Sequence, residues 1–111
     1  MRKLLLALAV TFSVSLAACG DDAPAGESQF SADAVVIDVR TPEEYTEGHL
    51  EGAKNIDFLS PDFAAQVDQL PKDAEYVLYC RSGNRSGQAK SIMENLGFTD
   101  VTNAGAYDDL K

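Results

Sequence analysis

The chain has 111 residues, 45% of them hydrophobic, and a formal net charge of −9 at pH 7. This length allows one folded domain at most. The strong acidity argues against binding to nucleic acid or to anionic lipid headgroups, and the sequence contains no basic patch that would serve either.

The first residues are typical of an export signal. Met1–Lys3 is basic, and Leu4–Leu16 is almost wholly apolar but shorter than the roughly 20 residues of a permanent membrane span. The run ends in LAACG, residues 16–20, which resembles the lipobox of bacterial lipoproteins. The resemblance implies a signal peptide over residues 1–18 and a lipid on Cys19. An ordinary cleavage site beside an incidental cysteine and a buried core helix are the alternatives.

A lipid on Cys19 would place the protein in the bacterial cell envelope, facing the periplasm or the cell exterior. The acyl chains alone would hold it on the membrane. Gly20 stands where an aspartate can mark inner-membrane retention, which favours the outer membrane in a two-membrane bacterium. Lipidated Cys19 could not form a disulfide, so Cys80 would be a single free thiol in an oxidising compartment, which suggests a chemical role.

Residues 19–31 are predicted to be the lipid anchor and a flexible tether, because Gly20–Ser31 is acidic and rich in small residues. The folded domain is predicted over residues 32–111. Its strands are short apolar runs, and its helices begin with a hydroxyl cap, a proline and an acid or show helical apolar spacing. The predicted strands are Ala34–Val39, Ala53–Phe58, Tyr76–Tyr79 and Phe98–Thr102. The predicted helices begin at Thr41, Ser60 and Gly87.

This alternation of strands and helices predicts an α/β fold with an open, mainly parallel sheet flanked by helices. In such sheets, functional sites lie at the carboxyl ends of the strands. Cys80 ends one predicted strand, and Asp38 and Arg40 end another. Asp38 and Arg40 are therefore candidates for supporting the site, with a structural ion pair as the alternative.

Cys80 opens a predicted six-residue loop that leads into a helix near Ser86. Gly83 and Asn84 tolerate unusual backbone angles, so several N–H groups can turn inward and form an anion cradle. The helix N-terminus and two arginines add positive charge. We therefore predict a lowered pKa for Cys80. The predicted anion-binding loop consists of Arg81, Ser82, Gly83, Asn84, Arg85 and Ser86.

Simpler interpretations of the same residues remain open. Cys80 could be a small buried apolar residue at a strand end. Arg81 and Arg85 could be solvated loop charges, with Arg81 pointing outward.

Three stretches of the sequence resemble the single-domain rhodaneses, and in particular their small periplasmic phage-shock type. They are VIDVRTPEEYTEGHLEGAKNI (36–56), YCRSGNRSGQAK (79–90) and LGFTDVTNAGAYDDL (96–110). The last stretch departs from the Gly-Gly-aromatic pattern of the family at Asn103–Tyr107. Larger relatives have an extra strand and helix at the two ends of the domain, so a trimmed rhodanese-like domain with a more open site is expected.

The resemblance implies a mechanism in which Cys80 attacks the outer sulfur of thiosulfate and becomes a persulfide. An acceptor, cyanide in vitro or a thiol in the cell, then removes the sulfur. The N–H groups of Arg81–Arg85 would hold the persulfide, and the side chains of Arg81 and Arg85 would attract thiosulfate. The resemblance implies no metal or organic cofactor, and the protein is expected to be a monomer.

Two other functions stay open. Cysteine-based phosphatases and arsenate reductases also use a cysteine loop that ends in arginine. Their loops have five residues between the two, whereas only four separate Cys80 from Arg85. A persulfide carrier or binding module without turnover is the other alternative.

Several polar and aromatic residues are expected to have structural roles. His49, the only histidine, lies in a Gly-His-Leu motif that is structural in the family, so bracing of the fold is favoured over catalysis. Tyr45 and Tyr107 are predicted to be packing residues. A solvated acidic face without metal-ligand spacing is predicted for Glu43, Glu44, Glu47 and Glu51.

Overall fold

The structure, a computed structural model, describes residues 30–111. The predicted signal peptide and Cys19 lie outside the described residues, as does nearly all of the predicted tether. Residues Ala32–Lys111 form one compact unit. Within the described part of the chain, no helix is both long enough and apolar enough to span a membrane.

Four parallel strands form the sheet, in the order β2-β1-β3-β4. The strands are β1 (Val35–Asp38), β2 (Lys54–Asn55), β3 (Tyr76–Cys80) and β4 (Val101–Ala106). The central strand β3 is buried along its whole length, as expected for a parallel strand covered on both faces. The predicted α/β class with a parallel sheet is confirmed.

Four helices alternate with the strands. They are α1 (Pro42–Glu47), α2 (Phe63–Asp68), α3 (Asn84–Asn95) and α4 (Tyr107–Leu110). Thr41 caps α1 in a capping box, because its side chain accepts from the Glu44 N–H and the Glu44 carboxylate accepts from the Thr41 N–H. Pro42 occupies the first turn of α1, as the cap-proline-acid pattern predicts.

The hydrophobic core lies between the sheet and helices α2 and α3. Leu78 and Cys80 of β3 belong to it, together with Val67 of α2 and Met93 of α3. Alternate residues of the strands point the other way. There Tyr79 stacks on Tyr107, with ring centroids 5.7 Å apart.

Two predicted boundaries were wrong in ways that matter for the site. Helix α3 begins at Asn84 and not at Gly87, because Gly83 makes the turn into the helix with a φ of +93°. The last strand runs over Val101–Ala106 instead of Phe98–Thr102. Phe98 packs in the core before the strand begins, so its apolar character reflects burial in the segment that joins α3 to β4.

Candidate active site

Cys80 lies at the carboxyl end of β3, at the edge of the sheet where the sequence predicted a site. The residue is 0% exposed. Its Sγ accepts hydrogen bonds from the backbone N–H groups of Gly83 at 3.0 Å and Ser86 at 3.4 Å. The hydroxyl of Ser86 lies 3.5 Å from the same sulfur. The sulfur is therefore buried but surrounded on one side by polar hydrogens.

Gly83 is required for this arrangement. Its φ of +93° is unfavourable for any residue with a Cβ. A Cβ built at Gly83 would also lie only 3.3 Å from Cα of Gly105 on β4. Glycine thus allows both the turn that aims an N–H at the sulfur and the close approach of two backbone segments.

The pKa of Cys80 is lowered, in the predicted direction. Burial, the largest single effect, raises the pKa of the thiol. Hydrogen bonds from Ser86 and from the N–H groups of Ser82 and Gly83 lower it, and together they outweigh burial. The loop therefore favours a thiolate through hydrogen bonds.

The predicted anion-binding residues lie partly in a loop and partly in the first turn of α3. The non-helical loop is shorter than predicted, because Asn84, Arg85 and Ser86 form the first turn of α3. Asn84 lies on the exposed side of that turn, and its N–H lies 3.4 Å from the Ser82 hydroxyl. Ser86 is fully buried and faces Cys80.

Arg81 and Arg85 both form ion pairs with Glu44. Arg85 donates to both oxygens of the Glu44 carboxylate, at 3.0 and 3.2 Å. Arg81 donates to the same carboxylate at 3.1 Å, although its own side chain is 67% exposed. The prediction that Glu44 belongs to a solvated acidic face was wrong: its side chain is only 16% exposed. Glu43, Glu47 and Glu51 are exposed as predicted.

These ion pairs perturb the charged groups strongly. The Arg85 guanidinium, followed by smaller contributions from Thr41 and Arg81, holds the pKa of Glu44 far below the usual range of a glutamate, against the opposing effect of burial. The hydrogen bond to Glu44 raises the pKa of Arg85 in turn. Two guanidiniums and one carboxylate leave one positive charge beside Cys80, which a thiolate would balance.

Asp38 and Arg40 form a buried ion pair in the neighbouring strand end. The Arg40 Nε lies 2.9 and 3.1 Å from the two carboxylate oxygens, and a second guanidinium nitrogen lies 2.7 Å from Oδ2. That second nitrogen also donates to the Gly48 carbonyl at 2.6 Å. The guanidinium carbon lies 4.4 Å from the centroid of the Tyr107 ring. The structural interpretation of this pair therefore fits its contacts, which join α1, the sheet and α4.

His49 and Tyr45 also make structural contacts. The His49 ring stacks on Tyr45 with centroids 3.6 Å apart, and its Nδ1 lies 2.8 Å from the Tyr45 carbonyl. The Tyr45 hydroxyl donates to the carbonyl of Ala53 at 2.6 Å. These contacts brace the segment that follows α1.

Asn103 is a site residue that sequence reasoning missed. From β4, its amide Nδ2 donates to the Gly83 carbonyl at 3.1 Å, and its Oδ1 accepts from the Ser86 hydroxyl at 2.7 Å. The sequence showed Asn103 only as part of a departure from a family pattern. Its nearness to Cys80 depends on the pairing of β4 with β3, which no local signal reveals.

The geometry defines a class of protein: an α/β protein with a buried cysteine at the carboxyl end of a central parallel strand, its sulfur hydrogen-bonded by backbone N–H groups. Within residues 30–111, no group of three or more histidine, cysteine, aspartate or glutamate side chains is arranged to hold a metal ion. The polar hydrogens around Sγ suit a negatively charged sulfur.

Comparisons with known proteins identify the family. The model of the rhodanese-like domain matches residues 25–108. The chain is 36% identical over 109 residues to the thiosulfate sulfurtransferase PspE of Escherichia coli, which covers 98% of this chain and 91% of that protein. The chain therefore belongs to the rhodanese-like family and is a rhodanese-type sulfurtransferase.

Solved structures agree with this assignment. A rhodanese with anions from E. coli is 40% identical, with a TM-score of 0.59 over 68% of this chain and 89% of that one. The human single-domain sulfurtransferase TSTD1 is 32% identical, with a TM-score of 0.57 over 69% of this chain and 80% of that one. The predicted rhodanese-like fold is confirmed.

Proposed function

We propose that Cys80 carries sulfur as a persulfide from thiosulfate to a thiol acceptor. The observation that carries the proposal is the set of N–H groups from Gly83 and Ser86 around a buried sulfur at the end of β3. Those groups favour a thiolate nucleophile. The name of the E. coli relative, a thiosulfate sulfurtransferase, supports thiosulfate as the donor.

The proposed reaction has two steps. The Cys80 thiolate attacks the outer sulfur of thiosulfate, so a new S–S bond forms while the S–S bond of thiosulfate breaks and its electron pair leaves on sulfite. The thiolate of the acceptor then attacks the outer sulfur of the persulfide. The acceptor leaves as a persulfide, and the electron pair of the broken bond restores the Cys80 thiolate.

Glu44 limits the attraction of the site for anions. It binds both arginines, so an incoming dianion meets a net charge of +1 from these three side chains instead of +2 from the arginines alone. We expect the sulfonate end of thiosulfate to compete with Glu44 for the exposed guanidinium of Arg81, since that pair is more accessible to solvent than the pair with Arg85.

The test uses the full chain with a Cys19→Ser substitution, which leaves Cys80 as the only thiol. We expect incubation with thiosulfate to add the mass of one sulfur atom and to release sulfite. Cyanide should then remove the sulfur and yield thiocyanate. A Cys19→Ser, Cys80→Ser double variant should do neither. A chain that gains no sulfur although its thiol still reacts with iodoacetamide would contradict thiosulfate as the donor.

The same preparation separates the alternatives. Repeated thiocyanate formation with excess thiosulfate and cyanide would exclude a carrier without turnover. Hydrolysis of p-nitrophenyl phosphate that requires Cys80, in the absence of sulfur transfer, would favour a phosphatase. We expect no such hydrolysis, because only four residues separate Cys80 from Arg85.

We also propose that the protein is a lipid-anchored monomer of the bacterial cell envelope, facing the periplasm or the cell exterior. The support is the sequence of residues 1–20, with its basic start, short apolar run and Leu-Ala-Ala-Cys motif. Acyl chains on Cys19 would hold the domain at the membrane surface, where small sulfur anions and thiols could reach it.

A further inference from the structure

The buried hydroxyl of Ser86 lies between two acceptors. Asn103 Oδ1 is 2.7 Å from Ser86 Oγ, and Cys80 Sγ is 3.5 Å from it on the other side. A serine hydroxyl has one proton to donate and two lone pairs to accept with. Ser86 is 0% exposed, so bulk solvent does not reach the hydroxyl. The proton must therefore go to one of these two acceptors at a time.

The orientation of the Asn103 amide is fixed by two backbone groups. The Gly105 N–H points at Oδ1, at 3.0 Å, and the Gly83 carbonyl accepts from Nδ2, at 3.1 Å. Exchanging the nitrogen and oxygen of the amide would set donor against donor and acceptor against acceptor. Ser86 therefore meets the carbonyl oxygen of the amide and must donate to it.

Helix α3 makes room for this contact. A Cβ at Gly87 would lie 3.3 Å from Nδ2 of Asn103, so glycine at this position lets the amide lie close against the first turn of α3. A glycine inside a helix costs stability relative to alanine. Its presence next to Ser86 is explained by the space that Asn103 occupies.

We propose that Asn103 is a positioning residue that directs the Ser86 hydroxyl, and so decides whether that hydroxyl accepts from the Cys80 thiol or donates to its thiolate. While Ser86 donates to Asn103, its free lone pairs face Sγ and can accept from a thiol. A thiolate receives the hydroxyl proton only if Ser86 rotates away from Asn103. Asn103 thus competes with Cys80 for one proton.

The charged groups near Cys80 do not change in this competition. Arg85 interacts electrostatically with Cys80 and Asp57, and Glu44 binds both arginines of the loop. On the neighbouring strand end, the Asp38–Arg40 pair is satisfied within itself and by Gly48. Substitution of the neutral residues Asn103 and Ser86 by alanine leaves all of these charges in place.

The experiment measures the ionisation of Cys80 in the full chain carrying Cys19→Ser. Thiolate formation is followed by ultraviolet absorbance at pH values below those at which tyrosine titrates. The absorbance of a Cys80→Ser variant is subtracted at each pH. We expect Asn103→Ala to lower the midpoint by about half to one pH unit, because the freed hydroxyl donates to the thiolate. In a Ser86→Ala background, Asn103→Ala should leave the midpoint of Cys80 ionisation unchanged.

Equal shifts in the two backgrounds, or a rise in the midpoint with Asn103→Ala, would overturn the proposal, since Asn103 would then only brace Gly83. Thermal unfolding of each variant checks that the fold is intact. If Asn103→Ala does not fold, Asn103→Val, which keeps a strand-forming side chain but offers no acceptor to Ser86, replaces it in both backgrounds under the same criteria. No sulfur donor is used, so this test and that of the proposed function fail separately.

Discussion

Glu44 and Arg85 are 41 residues apart in sequence, yet both oxygens of the Glu44 carboxylate accept hydrogen bonds from the Arg85 guanidinium. The same carboxylate completes the capping box of α1. One side chain therefore ties the first helix to the first turn of α3, beside Cys80. It also reduces the positive charge that an anionic sulfur donor would meet.

Removal of this carboxylate should strengthen donor binding. We expect Glu44→Gln to lower the KM for thiosulfate about two- to fivefold, because it frees the exposed guanidinium of Arg81 from an ion pair of a kind worth about 0.4–1 kcal/mol. Steady-state kinetics of thiocyanate formation would measure the change. Glu43→Gln is the matched control, since it removes an equal charge from an exposed position of the same helix. An equal fall of KM in both variants would show a general charge effect.

The Glu44 pairing should also make stability depend on acid pH. The pKa of Glu44 is lower in the folded state than the value of about 4.3 expected in the unfolded chain. The unfolded state therefore binds a proton first as pH falls, so the stabilisation is fully present above about pH 5 and is lost toward lower pH. Urea unfolding at a series of pH values should show the wild type and Glu44→Gln converging in acid. A constant difference between them would contradict this.

Breaking the buried Asp38–Arg40 pair should be costly. Asp38→Asn would leave the Arg40 guanidinium buried without a counter-charge, at an expected loss of about 3–5 kcal/mol in unfolding free energy. Asp68→Asn provides the control, because Asp68 pairs with Lys72 at 2.9 Å on the exposed surface. It should cost less than about 1 kcal/mol. Urea denaturation would compare the two, and similar losses would refute the structural importance of the buried pair.

Alanine substitutions at Gly83 and Gly52 can distinguish backbone strain from steric crowding near Cys80. Both have positive φ, +93° and +83°, but a Cβ at Gly52 would meet nothing within 4 Å. Alanine should cost each position about 1–2 kcal/mol. Only Gly83→Ala should also raise the pKa of Cys80, by about half to one unit, because the Gly83 N–H would move away from Sγ. Thiolate absorbance would test this, and an equal shift in Gly52→Ala would contradict it.

Lipidation at Cys19 predicts a change of cellular fraction. In a bacterium with the lipoprotein pathway, the wild-type chain should sediment with membranes, and Cys19→Ser should leave it in the soluble or unprocessed form. Mass spectrometry of the membrane-bound form should find acyl chains on an N-terminal residue 19. A membrane-bound wild-type form without acyl chains on residue 19 would refute the anchor.

The sequence was informative where a single segment carries the signal. The apolar run Val35–Val39 and the loop after Tyr79 revealed the parallel sheet and the position of Cys80, because both depend on local pattern. The pairing of Glu44 with Arg85 depends on strands β1 and β3 being neighbours, which brings the ends of distant segments together. No local pattern encodes that order, so Glu44 was assigned to solvent.

The start of α3 shows the same limit on a smaller scale. Asn84 and Ser86 have modest helix propensity, and the sequence suggested a loop. A single backbone turn at Gly83 is enough to begin the helix there. Asn103 was missed because its role depends on β4 extending to Ala106, beside Cys80.

The complete burial of Cys80 determines which molecules can react with its Sγ and which can react only with the outer sulfur of the proposed persulfide. Sγ is 0% exposed, so a resting thiol is hidden from the thiols of other proteins and is sheltered from mixed disulfides. In the proposed persulfide, the outer sulfur lies one S–S bond length, about 2 Å, from Sγ and is the atom that an acceptor must reach. A large acceptor would then touch the transferred atom without reaching the cysteine itself. The free enzyme would react with small reagents such as thiosulfate but not with protein thiols, whereas the persulfide form would react with both.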